Sequence, residues 1–380
     1  MFYYPRRGER GGRVRIGKRR ISKKLLLIVV PIVVVLVGTG AAFAATSFSD
    51  ITGTTHEQSI MNMADRNITQ GFPDGTFRPD QPVTRGQMMT FLDRFSSNIG
   101  CTDCHNEGTE LVARAAQMKD RSVHGTGEAF EEGTRGACAG CHGTEGAKAR
   151  INAGKPPHDP SVEAIVNVSP MGCRTCHNTH LTYTGADWAL TGAEAAVKME
   201  YSPGTFDKGA GNLCANCHQS RNAIPAVANG QVNLGTNTRF GQHYSPQATM
   251  LLGEAAMGGV TGSPSVHYAL ESCVSCHMGT ESNHTMEVVV ARCTSCHPGL
   301  TTLDRNGVQT EIQGMLDQAK QLLIASGIMN ADDRSIPGVY AEGVAAAMWN
   351  YKMVATDASK GVHNPAYARA LLQYVIDTLQ

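Results

Sequence analysis

Basic charge is scarce in the body of this 380-residue chain. Ten of its 33 Lys and Arg fall within residues 1–24 beside a single Glu. The remainder carries 23 basic against 32 acidic residues, a formal net charge of −9. An acidic folded part excludes a nucleic-acid binder, which carries its positive charge on the folded surface. Aromatic residues are also few, at 6% with two Trp. Cysteine is sparse, 12 of 380, far below the density of a small disulfide scaffold. No cysteine lies outside one repeated motif. The βαβ pattern that would carry a thioredoxin-like redox site is absent. The length alone suggests two or three domains.

What is present begins with a leader. Ten basic residues precede an apolar stretch from Leu25 to Gly38, followed by the small residues Ala42-Phe43-Ala44. A basic n-region, an apolar h-region and such a site read as a secretory signal cleaved after Ala44. The alternative is an uncleaved membrane anchor, since Leu25 to Ala45 approaches the ~20 residues needed to span a bilayer. Both readings leave residues 46–380 outside the cytoplasm, because the Arg/Lys cluster stays inside.

Residues 46–95 form a small unit of their own. Pro73-Asp74-Gly75 is a turn sequence. Ile60, Met63, Ala64 and Ile68 recur at helical spacing before it, and Met88, Met89, Phe91 and Leu92 are expected to begin the packing face of a second helix. Three segments carry a resemblance: Phe48-Ser-Asp-Ile51, Ile68-Thr-Gln-Gly-Phe-Pro-Asp-Gly-Thr-Phe-Arg-Pro79 and Val83-Thr-Arg85. On these residues the unit resembles an S-layer homology module. The resemblance implies binding to an anionic cell-wall polymer, in part through Arg85. The alternative is a two-helix spacer without a ligand.

Cys-x-x-Cys-His occurs six times. The first motif holds Cys101, Cys104 and His105, and the second Cys138, Cys141 and His142. The third holds Cys173, Cys176 and His177, and the fourth Cys214, Cys217 and His218. The fifth holds Cys273, Cys276 and His277, and the sixth Cys293, Cys296 and His297. This is the haem c attachment motif. The two thiols add to the two vinyl groups of one haem, and the following His becomes the proximal iron ligand. Disulfides or zinc ribbons would not require a His after every second Cys. Residues 96–300 therefore resemble the multihaem c-type cytochromes, with six covalently bound haem c groups expected. About 33 residues per haem are too few for a conventional core as well, so the haems themselves would supply much of the apolar interior. The 41 glycines suit backbone passing close to flat rings.

Six irons need six further ligands. Outside the motifs and His56, seven histidines remain: His124, His158, His180, His243, His267, His284 and His363. Methionine is the rival ligand, with 16 in the chain and Met278 directly after a motif. His180 lies three residues after His177. Helical neighbours at that spacing share a face, so His180 is expected to serve a neighbouring haem and not its own. The segments Phe240-Gly-Gln-His243, Asn283-His284-Thr285, Gly361-Val-His363 and Val123-His124-Gly125 resemble distal-ligand segments of multihaem relatives. His158 sits in a stiff Pro156-Pro-His-Asp-Pro160 turn.

After His297 no motif follows. Helices are expected over 310–325, 340–354 and about 365–379, the last with Asn364 as N-cap and Pro365 at N1. The expected organisation is a leader (1–45), a small helical S-layer homology-like module (46–95), a hexahaem region (96–300) and C-terminal helices packed on it (301–380). The fold class is mostly irregular and α: a haem-packed multihaem cytochrome domain with short helices. The expected function is an exported electron carrier of the cell envelope or wall, working by haem-to-haem hopping. Its partners would be redox proteins or extracellular acceptors, and wall polymer. The alternatives are a subunit of an extracellular cytochrome filament and a multihaem reductase of the nitrite or hydroxylamine type.

Overall fold

The computed structural model describes residues 47–98 and 110–380, apart from 66, 127–128, 134, 160–167, 183, 271–272 and 280–282. The leader lies outside the described residues. So does the whole first motif, Cys101, Cys104 and His105, for which a haem was expected. The chain divides into two compact units, Met1–Asn98 and Ile99–Gln380. It is helix-rich, with four strands of two or three residues among the described residues.

In the first unit, α1 (Glu57–Asp65) buries Ile60 and Ala64 against Phe48 and Ile51. The intervening loop is fastened by Asp50, whose carboxylate accepts from the backbone N–H groups of Phe77 (2.8 Å) and Arg78 (2.7 Å). At the turn, Gly75 takes φ +79°, a left-handed conformation that glycine adopts without steric cost. The second helix, α2 (Arg85–Asn98), starts on a capping box. Thr84 Oγ1 accepts from the Gln87 N–H (3.2 Å), and Gln87 Oε1 accepts from the Thr84 N–H (2.9 Å). The expected packing face of α2 is corrected: Met88, Met89 and Leu92 are about half exposed. The core of this unit closes around Phe48, Ile51 and α1, with Met61 and Phe77 packed against it.

In the second unit, short helices carry or flank the second to fifth motifs. These are α3 (Gly136–His142), α4 (Thr144–Asn152) directly after it, α5 (Cys173–Cys176), α6 (Gly211–Ala215), α7 (Gln247–Leu252) and α8 (Cys273–His277). One helical turn suits Cys-x-x-Cys-His because positions i, i+3 and i+4 share a face, so both thiols and the imidazole point one way. On α8 these positions are Cys273, Cys276 and His277, all within the one helix. Outside the regular helices the His N–H again bonds the carbonyl of the first Cys: His177 to Cys173 (2.8 Å), His218 to Cys214 (2.9 Å) and His297 to Cys293 (2.8 Å). Gly146 lets α3 and α4 close up, since a Cβ there would lie 2.2 Å from the Ala139 carbonyl oxygen. The strands pair as two antiparallel ribbons, β1 (Val197–Lys198) with β2 (Thr205–Phe206) and β3 (Gln231–Asn233) with β4 (Val339–Ala341).

The largest core is built by α9 (Val308–Ala325), α10 (Glu342–Asp357) and α11 (Pro365–Leu379). α10 is buried from Ala345 to Tyr351 without a break. It is covered by α11, by α9 and by Val232, Leu234, Phe240, Met250 and Met257 from the segments after the fourth motif. Trp349 Nε1 donates to the Ala255 carbonyl (2.8 Å), and Asn350 both donates to and accepts from the backbone of Met257. Asn364 caps α11 by accepting from the Tyr367 N–H (3.3 Å), with Pro365 following at the first helical position. Its amide also donates to the carbonyls of Met250 and Ser263. These bonds fix the loop that carries His363 to α7.

Among the described residues no helix is long and apolar enough to cross a membrane.

Candidate metal centres

Each of the five described motif histidines faces a histidine from outside the motifs. His218 and His124 have ring centroids 6.0 Å apart, and His142 and His243 6.2 Å. His177 and His284 are 6.2 Å apart, His297 and His267 6.3 Å, and His277 and His363 6.4 Å. An imidazole nitrogen lies about 2 Å from a first-row metal ion and roughly 1 Å ahead of its ring centroid, so two imidazoles on opposite sides of one iron have centroids roughly 6 Å apart. The residues present therefore fit a bis-histidine haem at five motifs. Ordinary ring contacts occupy a similar range, but they would not select a motif histidine and a spare histidine five times over. His105, the motif histidine of the expected sixth centre, is outside the described residues, and so are its cysteines Cys101 and Cys104.

The cysteines fit the same group. None of the ten described cysteines is in a disulfide. At the fifth motif Cys273 and Cys276 are both half-buried. At the sixth Cys293 is half-buried and Cys296 exposed. Arg150, 1% exposed, directs Nη2 to both Cys217 Sγ (3.4 Å) and Cys141 Sγ (3.9 Å), bringing the second and fourth motifs together. Its Nε and Nη1 donate to the carbonyls of Gly140 and Lys155. Thr144 and Thr175 share a hydrogen bond of 2.8 Å that joins the second and third motifs. α6 packs on α8, and Cys273 Sγ lies 3.9 Å from the Gly211 carbonyl oxygen, joining the fourth and fifth. No sequence signal marks Arg150 as the link between two motifs.

Two of the imidazoles outside the motifs are held in the form that binds a metal. Burial, then the neighbouring His218, pushes His124 down to about 4. Burial, then the Arg221 charge, pushes His243 down to about 4. Both rings are thus neutral at pH 7, with a lone pair free to ligate. In other rings one nitrogen is oriented by the chain. His177 Nδ1 meets the Trp188 carbonyl (2.8 Å), His277 Nδ1 that of Met286 (2.8 Å) and His267 Nδ1 that of Val362 (2.6 Å). Such partners fix the tautomer and the ring plane.

Two candidates stand apart. His158 has both ring nitrogens engaged, Nδ1 by Glu200 Oε2 at 2.9 Å and Nε2 by Arg221 Nη2 at 3.2 Å, with Tyr201 beside it. It faces no described motif histidine. His180 has φ +62°, a left-handed conformation shared with His243 at φ +72° and uncommon for residues other than glycine. The helical premise for His180 is corrected. α5 ends at Cys176, and His177 is already extended at φ −114°, ψ 154°, so residues 177 and 180 do not share a helical face. His177 instead faces His284. Met278 is not needed at the fifth motif, where His277 faces His363. Arg85 lies exposed at the first residue of α2.

The S-layer homology domain model matches residues 47–89. A cell surface protein of Thermoanaerobacter kivui is 38% identical over 74 residues, 19% of this chain and 10% of that protein. The chain is similar to the crystal structure of the outer cell wall cytochrome OcwA, with a TM-score of 0.45 and 25% identity over 70% of this chain and 50% of that one. It is also similar to an undecahaem cytochrome from the S-layer of Carboxydothermus ferrireducens, with a TM-score of 0.47 and 16% identity over 77% of this chain and 47% of that one. The chain thus spans a tenth of the first relative and about half of each solved structure. Residues 47–89 thus match the S-layer homology domain, and six Cys-x-x-Cys-His motifs follow them.

Proposed function

We propose that this chain is an exported hexahaem c-type cytochrome. It would carry electrons by haem-to-haem hopping across the cell envelope to extracellular or wall-associated acceptors. The observation that carries this reading is the pairing of five motif histidines with five separate histidines at 6.0–6.4 Å. When bound, each haem supplies an iron that cycles between ferric and ferrous states.

The rest is done by side chains of the chain. In each motif two cysteines would tether a haem by thioethers, and the histidine that follows would ligate its iron. At the first motif these are Cys101, Cys104 and His105, and at the fifth Cys273, Cys276 and His277. A histidine distant in sequence would supply the second ligand: His124 for the fourth motif, His243 for the second, His284 for the third, His363 for the fifth and His267 for the sixth. Chemistry at a haem iron needs an open coordination position. Paired histidines close that position, which supports an electron carrier over a reductase. Contacts between the second, third, fourth and fifth motifs support the hopping reading, because they bring the residues that would hold neighbouring groups together.

Intact mass of the chain produced with a cytochrome c maturation system tests the reading. Six haem additions are expected. Free thiols at several motifs, or zinc in place of iron, would overturn it.

His180 completes the scheme. Five pairs use five of the seven spare histidines, and His158 meets Glu200 and Arg221, so His180 would be the ligand left for the haem of the first motif. His180→Met should raise the potential of one haem while leaving all six covalently attached. A redox titration identical to that of the parent would show His180 to be ordinary surface.

The S-layer homology domain would hold the protein at the cell wall by binding an anionic polymer, with Arg85 contributing charge at the start of α2. Arg85→Ala should lower retention on purified cell wall severalfold without altering the haem spectrum. Full retention would leave Arg85 without a part in the attachment.

A further inference from the structure

Four histidines of the paired centres direct Nδ1 at neutral oxygens: His177, His277 and His267 at backbone carbonyls, and His218 at Gln247 Oε1 (2.9 Å). His363 differs. Its Nδ1 lies 2.7 Å from Asp357 Oδ1, and the Asp357 side chain is fully buried, at 0% exposure. Asp357 is the last residue of α10, and the core under that helix fixes its position. The other carboxylate oxygen, Oδ2, accepts from Ser359 Oγ (2.5 Å) and the Ser359 N–H (3.3 Å). A buried carboxylate is costly unless its lone pairs are met, and here they are met by Ser359 and the imidazole.

The same residue reaches a second centre. Its backbone carbonyl accepts from Gln247 Nε2 (3.0 Å), and Gln247 Oε1 meets His218 Nδ1. A continuous bridge therefore runs from His218 through Gln247 and Asp357 to His363. It joins a ligand of the fourth-motif centre to a ligand of the fifth. At one end the ligand meets a neutral amide, and at the other a carboxylate.

On the haem reading proposed above, we infer that Asp357 is a tuning residue that makes the haem at Cys273–His277 more reducing than its neighbour at Cys214–His218. A carboxylate accepting from Nδ1–H pushes electron density towards Nε2 and makes the imidazole a stronger donor. A stronger axial donor and a nearby negative charge favour ferric iron and lower the potential. On that ordering a one-electron transfer, one centre oxidised as the other is reduced, would run downhill from the fifth-motif centre to the fourth. No bond is broken and no proton moves.

The test is a redox titration of the full haem-loaded chain carrying Asp357→Asn, followed by low-temperature electron paramagnetic resonance. Asn keeps the accepting oxygen and removes the charge. One of six steps should shift upward by about tenfold in its ferrous-to-ferric ratio, ~59 mV for one electron. Ser359→Ala removes a donor that shares the carboxylate's charge and should move the same step by a smaller amount in the opposite direction. It decides the matter alone if Asp357→Asn does not fold. Haem counting by intact mass accompanies both. Fewer than six haems in the parent chain would defeat the haem reading, whereas six haems and unmoved titrations would overturn the role of Asp357.

Discussion

Trp349→Ala should lower the unfolding free energy of the second unit by about 4 kcal/mol, within the range of buried Trp-to-Ala substitutions. Trp349 is 1% exposed, and its ring lies 5.5 Å from that of Phe240. It sits on α10 among alanines and methionines too small or too flexible to fill the space it would leave. The substitution also strips the Ala255 carbonyl of its buried donor, which adds a cost of about 1 kcal/mol. The effect extends beyond stability, because α10 ends in Asp357 and leads into the loop that holds His363. Trp188 is the control, being 41% exposed. It orients His177 through its backbone carbonyl, which Trp188→Ala retains. Denaturant titration of the haem-loaded variants, followed by circular dichroism, separates the two. A loss under 1 kcal/mol at Trp349 would contradict the packing described here.

His124→Ala should convert one iron in six to a high-spin form. His124 faces His218 of the fourth motif, although it precedes the second motif in sequence. On the proposed reading, removing its ring would take away one of the iron's two protein ligands and leave His218 and both cysteines in place. His158→Ala should leave the low-spin count unchanged, since His158 meets Glu200 and Arg221. Room-temperature absorption in the high-spin charge-transfer region measures both. Equal effects of the two variants, or no high-spin iron in His124→Ala, would show that the fourth motif is completed by another residue.

The motif turns are legible in the sequence because two thiols and an imidazole at i, i+3 and i+4 need only one helical turn, which local sequence decides. Cys273, Cys276 and His277 on α8 are an example. The pairing is not local. His284 follows the fifth motif yet faces His177 of the third, and His243 lies after the fourth motif yet faces His142 of the second. Which rings meet depends on how the motifs are fastened, and the fasteners are single residues such as Arg150 and Thr144 with no sequence signature.

The C-terminal helices are legible from their apolar stripes, with boundaries shifted for identifiable reasons. α9 begins at Val308, two residues before the expected start. Asp304 Oδ1 accepts from the Gln309 N–H (2.6 Å) and Oδ2 from Thr310 Oγ1 (2.6 Å), which supports an earlier first turn. α10 starts at Glu342, after the expected 340, because Tyr340 is taken into β4 opposite Val232. The exposure of Met88 and Met89 on α2 could not be read from periodicity, which marks an apolar stripe without saying what covers it. Asp357 carried no mark at all in the sequence: its contact with His363 exists only because α10 and the following loop fold back on each other.

The central claim is that six irons are each held between two histidines. Near-infrared magnetic circular dichroism of the fully oxidised, haem-loaded chain, scaled to iron per chain, tests this most directly. Six low-spin bis-histidine equivalents are the expected result. A methionine-to-iron band, high-spin signals in the parent chain, or fewer than six equivalents would contradict the account.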